Sequence, residues 1–331
     1  MKKIHPAISM AILASVSTVA VTEEATATDY ACNSYLLRGG SNQFQSWGEY
    51  YPFGMLIGKW APSRAYGALS VDYQEDREAV TFDLMFGAKG TARLRGYLDV
   101  SPGSQSPNIR AQLGPRNLGA GDFDGDGMDD VFISYAGIWY AYSFTERALR
   151  RLNSSNVDAR SLRFADFNGD GKTDVFRVRG SEWQVSYGGT SSWTRLGSSG
   201  VPANQLRLGD LNGDGKTDIF RAGSGKWFVS YGGTERWTEL GSSGYPISSL
   251  HLGDLNGDGT DDVIHISGSR VQVSYGGRSR WTTVATNGPT PTPNNERIGL
   301  ERVPSASIQY AIADFDGDGS DDILASNGVC G

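Results

Sequence analysis

Nine residues recur five times in this chain, and no other feature limits its fold so strongly. They read DFDGDGMDD at 122–130, DFNGDGKTD at 166–174, DLNGDGKTD at 210–218, DLNGDGTDD at 254–262 and DFDGDGSDD at 314–322. The first four copies start 44 residues apart, and the last follows after 60. Each copy has oxygen-bearing side chains at positions 1, 3, 5 and 9, and glycine at 4 and 6. So many carboxylates in nine residues repel one another unless a cation neutralises them. Ca²⁺ suits the set, since it takes about 6–8 oxygens at about 2.3–2.6 Å and accepts carboxylates, carbonyls and waters together. The glycines allow the positive φ that curls the chain around one point.

The candidate ligands are Asp122, Asp124, Asp126 and Asp130 in the first loop, and Asp166, Asn168, Asp170 and Asp174 in the second. They continue as Asp210, Asn212, Asp214 and Asp218, as Asp254, Asn256, Asp258 and Asp262, and as Asp314, Asp316, Asp318 and Asp322. Position 7 varies (Met128, Lys172, Lys216, Thr260, Ser320), as expected of a residue that offers only its backbone carbonyl. The pattern predicts about five Ca²⁺ sites. An Asp/Gly surface turn would account for one copy but not for five with one oxygen spacing. An EF-hand needs a glutamate at position 12 and flanking helices, whereas position 12 here is Ile133, Arg177, Arg221, His265 and Ala325.

The flanks are strand-like, and the repeat extends beyond the loops. Residues 183–196 recur at 227–240 and 271–284, with a degenerate version at 139–152. Each unit reads strand, loop, strand, a strand carrying Val-Ser-Tyr, a Gly-Gly turn, then a strand with Trp-Thr. Short alternating runs between Gly, Ser and Asn, with a period near that of a four-stranded blade, predict an all-β chain folded as a β-propeller. The last loop is followed by only one strand. Residues 34–47 align with 183–196, glycine pair on glycine pair, so the final blade is expected to pair N- and C-terminal strands. Cys32 and Cys330, the only cysteines, fall at this seam and are expected to form a disulfide. Residues 69–113 read as a blade whose loop has decayed. That makes six blades, with seven as the alternative if 48–66 contributes one; otherwise 48–66 is a connector. Residues 287–305 are expected to form an extended surface loop.

Residues 1–27 read as a secretory signal: Lys2 and Lys3, an apolar run over 7–21, and Ala25-Thr26-Ala27 as the cleavage site. The remainder, 28–331, is then one exported domain, secreted or periplasmic. No later apolar run is long enough to span a membrane.

The loops and flanking strands resemble FG-GAP or VCBS repeats, the calcium-bearing blades of integrin α-subunit propellers and of many secreted bacterial proteins. The resemblance is carried by residues 118–326 and implies calcium in hairpin loops at blade edges. In architecture the chain is also similar to calcium-containing lectin propellers that bind sugars between blades.

No HExxH, GxSxG, P-loop or CxxC motif is present, and His251 and His265 are the only histidines after the leader. Three residues before the central loops stand Arg163, Arg207 and His251; three after them stand Arg177, Arg221 and His265. Each pair is expected to lie together across two strands, held by a structural carboxylate or presented to an anionic or hydroxyl-rich ligand. Trp183, Tyr187, Trp227 and Tyr231 offer the same choice between inter-blade core and sugar platform. Five bound Ca²⁺ would turn the net charge of −7 into about +3, and no basic run or groove suggests nucleic acid. The expected function is a carbohydrate-binding, lectin-like or adhesion module with repeated sites. The alternatives are a secreted polysaccharide-degrading enzyme of the lyase type and a protein-binding propeller.

Overall fold

The computed structural model describes residues 117–286 apart from 136, 147 and 235, then 309–314 and 318–327. Earlier in the chain it describes the backbone of seven strands: Met10–Ile12, Cys32–Leu37, Gln45–Tyr50, Met55–Gly58, Gly67–Gln74, Ala79–Phe86 and Arg95–Asp99.

Four complete blades of an all-β propeller follow one another, each an antiparallel meander of four strands. Blade 1 comprises Leu118–Gly121, Asp130–Tyr135, Ile138–Ser143 and Ala148–Ser154. Blade 2 comprises Arg163–Ala165, Asp174–Arg179, Glu182–Ser186 and Thr194–Ser198. Blade 3 comprises Arg207–Gly209, Asp218–Gly223, Lys226–Ser230 and Thr238–Ser242. Blade 4 comprises Leu250–Gly253, Asp262–Ser267, Arg270–Ser274 and Thr282–Ala285. In every blade the Asp-rich stretch joins the first strand to the second, as the repeat implied.

Two further sheets flank these blades. One takes strands from both ends of the chain, in the order Gln309–Ala313, Asp322–Asn327, Cys32–Leu37, Gln45–Tyr50. Leu36 stands opposite Leu324, and Tyr35 opposite Ala325. The other runs Met10–Ile12, Arg95–Asp99, Ala79–Phe86, Gly67–Gln74, Met55–Gly58. Met55–Gly58 thus belongs to this sheet, where the sequence suggested a connector or a seventh blade for 48–66. The last part of the expected decayed blade, 100–113, the loop at 287–305 and Cys330 with its pairing lie outside the described residues. No helix among the described residues is long and apolar enough to cross a membrane.

The core lies between blades, because each thin sheet has two faces to bury. Alternation decides which residue goes where. In Glu182–Ser186, Trp183 and Val185 are buried on one face while Gln184 stands on the other. Phe167, Phe176, Trp183 and Val185 of blade 2 pack with Leu206 and Ile219 of blade 3. Leu211, Phe220, Trp227 and Val229 of blade 3 pack in the same way with Leu250 and Val263 of blade 4. Burying each such side chain contributes about 1.5–3 kcal/mol.

A tryptophan ladder repeats across these interfaces. Trp139 meets Trp193 edge-on at 5.5 Å, Trp183 meets Trp237 at 5.3 Å, and Trp227 meets Trp281 at 5.4 Å. Each edge-to-face pair adds about 0.5–1.5 kcal/mol beyond its area. Trp183 and Trp227 are 2% exposed, so neither offers a ring face to a ligand. The platform reading is corrected for both: the next blade covers them.

Candidate metal centres and the Arg and His rows

Each loop wraps its own carboxylates with backbone N–H groups. At position 1, Asp166 Oδ1 accepts from Gly169 N–H (2.7 Å) and its Oδ2 from Gly171 N–H (2.8 Å). Asp122, Asp210 and Asp254 do the same with their own glycines. Asn168 Oδ1 then accepts from Asp170 N–H, and Asp170 Oδ1 from Lys172 N–H. This curl needs φ of 75° at Gly169 and 79° at Gly171, where side chains are strained.

Position 9 does two jobs at once. Asp174 is fully buried; its Oδ2 accepts from Phe167 N–H (2.9 Å) and its Oδ1 from Gly188 N–H (2.7 Å) in the Gly-Gly turn. Asp218 holds Leu211 and Gly232 in this manner, and Asp262 holds Leu255 and Gly276. Burial first, then the neighbouring carboxylates, push Asp130 up to about 7 and Asp174, Asp218 and Asp262 up to about 6, against the donated N–H groups. Groups so placed stay ionised at neutral pH more readily with a cation beside them.

The donor set fits a hard divalent cation. Every side-chain donor at positions 1, 3, 5 and 9 carries oxygen, and carboxylate oxygens of Asp122, Asp124 and Asp130 lie within 4.8 Å of one another. At position 7 the side chain leaves its own loop. Lys172 lies against Gly125 of the preceding loop, Lys216 against Gly169, Thr260 against Gly213 and Ser320 against Gly257.

One residue of this machinery gives no periodic signal. In loops 2 to 4 position 3 is asparagine, and its amide donates to the position-5 carboxylate, as from Asn168 Nδ2 to Asp170 Oδ2 (3.0 Å). Asp124 cannot donate, and its Oδ2 instead binds Arg150 Nη2 at 3.0 Å. Arg150 stands where the later repeats have Thr194, Thr238 and Thr282. At position 3, loop 1 thereby carries an acid where loops 2 to 4 carry an amide, and Arg150 brings a base to it.

The Arg and His rows do not face each other. Arg163 stands opposite Phe176, and Arg177 opposite Gln184, so the pleat sends the two arginines to opposite faces of blade 2. The expectation that each pair meets across two strands is therefore corrected by one residue of register. Arg207 is a strap: it donates to Leu250 O (2.9 Å) and Ile247 O (2.7 Å) of the next repeat, and to Leu206 O and Asn204 O of its own. Arg163 is exposed and donates to Leu162 O. His251 packs against Tyr310.

The other row packs against aromatic rings. Arg177 lies 3.9 Å over Trp193 and donates to Gln184 Oε1. Arg221 lies over Phe228 and Trp237, and His265 stacks on Tyr245. Arg221 Nε and His265 Nδ1 are buried with no hydrogen-bond partner among the described residues. Tyr187 and Tyr231 are half-buried beside the Gly-Gly turns, and Tyr231 accepts a hydrogen bond from Arg278 of blade 4.

Residues 122–177 and 210–265 each match the FG-GAP-like repeat. The chain carries FG-GAP-like repeats. No curated protein sequence matches it. Among solved structures, the putative TolB of Agrobacterium tumefaciens is similar over 91% of this chain and 99% of its own, at 11% identity and a TM-score of 0.50. That likeness is one of fold. An Agrocybe aegerita lectin that recognises non-reducing terminal N-acetylglucosamine scores 0.49 at 13% identity, over 91% of this chain and 85% of the lectin. The Photorhabdus luminescens Tc holotoxin pore also scores 0.49, at 14% identity over 90% of this chain. This chain spans 15% of that much longer protein.

Proposed function

We propose that this chain is an exported, calcium-loaded propeller that binds carbohydrate through repeated clefts between its blades. The observation that carries the reading is a pair of equivalent buried atoms, Arg221 Nε and His265 Nδ1, each without a hydrogen-bond partner among the described residues and beside aromatic rings. A buried polar atom without a partner costs about 1–3 kcal/mol. Hydroxyl groups of a sugar would supply partners, and the rings of Trp237 and Tyr245 would supply apolar faces.

In this reading the side chains at positions 1, 3, 5 and 9 and the carbonyl at position 7 hold Ca²⁺, in about five loops. The cation supplies charge neutralisation. The chain's own residues set the curl and, through Asp174, Asp218 and Asp262, join each loop to the Gly-Gly turn. The ring is read as six-bladed. Contacts between first strands support six, because Met55–Gly58 touches both Leu118–Gly121 and Gln309–Ala313.

A glycan array run with and without chelator tests the function. Linked weak sites gain effective concentration, so binding is expected on clustered glycans, lost on chelation, and reduced far more by Arg177→Gln with Arg221→Gln than by either alone. Intact glycan binding in the double variant would remove the clefts from the reading. Cleavage of a polysaccharide without retention would replace binding by catalysis.

A further inference from the structure

Consecutive loops touch. The N–H at position 8 of each loop donates to the position-1 carbonyl of the loop before it. The bonds run from Thr173 to Asp122 (2.6 Å), Thr217 to Asp166 (2.7 Å), Asp261 to Asp210 (2.7 Å) and Asp321 to Asp254 (2.6 Å). Position 1 is also the residue whose carboxylate gathers both glycines of its own loop. Position 8 lies between the two last candidate ligands. The end of one loop and the start of the preceding one are therefore parts of a single hydrogen-bonded unit, repeated at four successive junctions.

The junctions are of two kinds. Where position 8 is aspartate, its carboxylate returns a second bond to the same residue. Asp261 Oδ2 accepts from Asp210 N–H at 2.9 Å, and Asp321 Oδ2 accepts from Asp254 N–H at 2.9 Å. Gly209 and Gly253 leave the space, since a Cβ on either would collide with that carboxylate. Asp210 and Asp254 are thus clasped through both backbone N–H and C=O. At the other two junctions Thr173 and Thr217 make the single backbone bond.

We propose that the loops bind divalent cations in series rather than independently. Filling one loop fixes positions 7 to 9, which fixes position 1 of the preceding loop in its ligating pose. Coupling is strongest where Asp261 and Asp321 close the clasp. Coupling between sites is reciprocal and commonly changes affinity about 5- to 150-fold. The proposal rests on the cation reading of the loops, and the test separates the two.

The test titrates the chelated full chain with Ca²⁺, read by calorimetry for the Hill coefficient and by native mass spectrometry for the distribution of bound ions. The wild type is expected to show a Hill coefficient above one, with partly filled species depleted. Asp261→Thr with Asp321→Thr installs the residue type already present at the other junctions. It should keep the same number of bound ions, because position 8 is not a ligand, while the Hill coefficient falls toward one. Asp261→Asn with Asp321→Asn keeps an oxygen that can accept the same N–H and should retain the coupling. A random distribution of ions on the wild type, or an unchanged Hill coefficient in the threonine pair, would overturn the serial arrangement while leaving the sites. No Ca²⁺ bound at all would remove the cation reading and the coupling with it.

Discussion

Blades 2 and 3 carry arginine where blade 4 carries histidine, and the two side chains meet their neighbouring rings differently. Arg177 and Arg221 lay their guanidinium groups over Trp193 and over Phe228 and Trp237. The shorter imidazole of His265 lies against Tyr245 instead, ring centres 3.4 Å apart and planes within 7°. The residues matching Tyr245 in the earlier repeats are Val157 and Val201. A small side chain thus accompanies each long cation, and a large ring accompanies the short one. On the inner strands the same exchange turns the Arg207 strap into the half-buried ring of His251. The repeat thus pairs side-chain length with ring size and lets the charge vary. Arginine stays charged at any ordinary pH, so only the histidine blade can respond to acid through this row.

Acidification should break the equivalence most visibly. Burial first, then the charge of Arg207 and the nearby His265, push His251 down to about 4 from 6.5. The folded protein then binds fewer protons than the unfolded chain between these values. Its stability is therefore fully present above about pH 6.5 and is lost as pH falls toward 4. Tyr310, which also faces His251, is raised by burial and stays neutral in this window. The loss has a ceiling of about 3 kcal/mol, because each tenfold change in proton affinity is worth about 1.4 kcal/mol. Melting curves of wild type and His251→Gln at fixed Ca²⁺ should diverge as pH drops, with the wild type falling faster. Parallel curves would show that His251 does not carry the effect.

A volume swap should come next in size. His265→Arg forces a longer side chain against Tyr245, and such overpacking costs about 1–3 kcal/mol. Tyr245→Val alone leaves a void. Combined, the two restore the pairing of blades 2 and 3, so the double variant should be more stable than the sum of the singles implies. Strictly additive melting shifts in this cycle would contradict the exchange of volume.

The smallest difference lies between the two arginine blades themselves. Arg177 is stacked and also donates to Gln184, whereas Arg221 Nε has no partner among the described residues. Both are stacked, so Arg177→Gln should cost more than Arg221→Gln by about 0.5–1.5 kcal/mol, the net value of the hydrogen bond that only Arg177 makes. Equal or reversed losses by denaturant titration would mean that this hydrogen bond contributes nothing.

Much of the fold is legible in the residues alone. Local rules write it: alternation of period two in stretches such as 182–186, glycines that permit a positive φ, and a 44-residue period demanding that thin sheets stack. The pairing of 32–37 with 322–327 is readable because the Gly-Gly turn at 39–40 marks the phase of the missing half-blade. The loops as oxygen-rich curls are readable for the same reason, since their spacing is itself the geometry.

Other features need the assembled blades. One residue of register decides that Arg163 and Arg177 point to opposite faces, and a repeat alignment does not contain that offset. Trp183 is covered by blade 3, and Arg150 reaches Asp124 from 26 residues away. Asp174 commits both oxygens to two turns, and Thr173 joins its loop to Asp122 of another blade. The repeating unit is thus written in the order of residues, because turns and pleats are settled by neighbours along the chain. What each unit touches is settled in three dimensions, because burial, register and the contacts between loops are set by the blade that packs beside it.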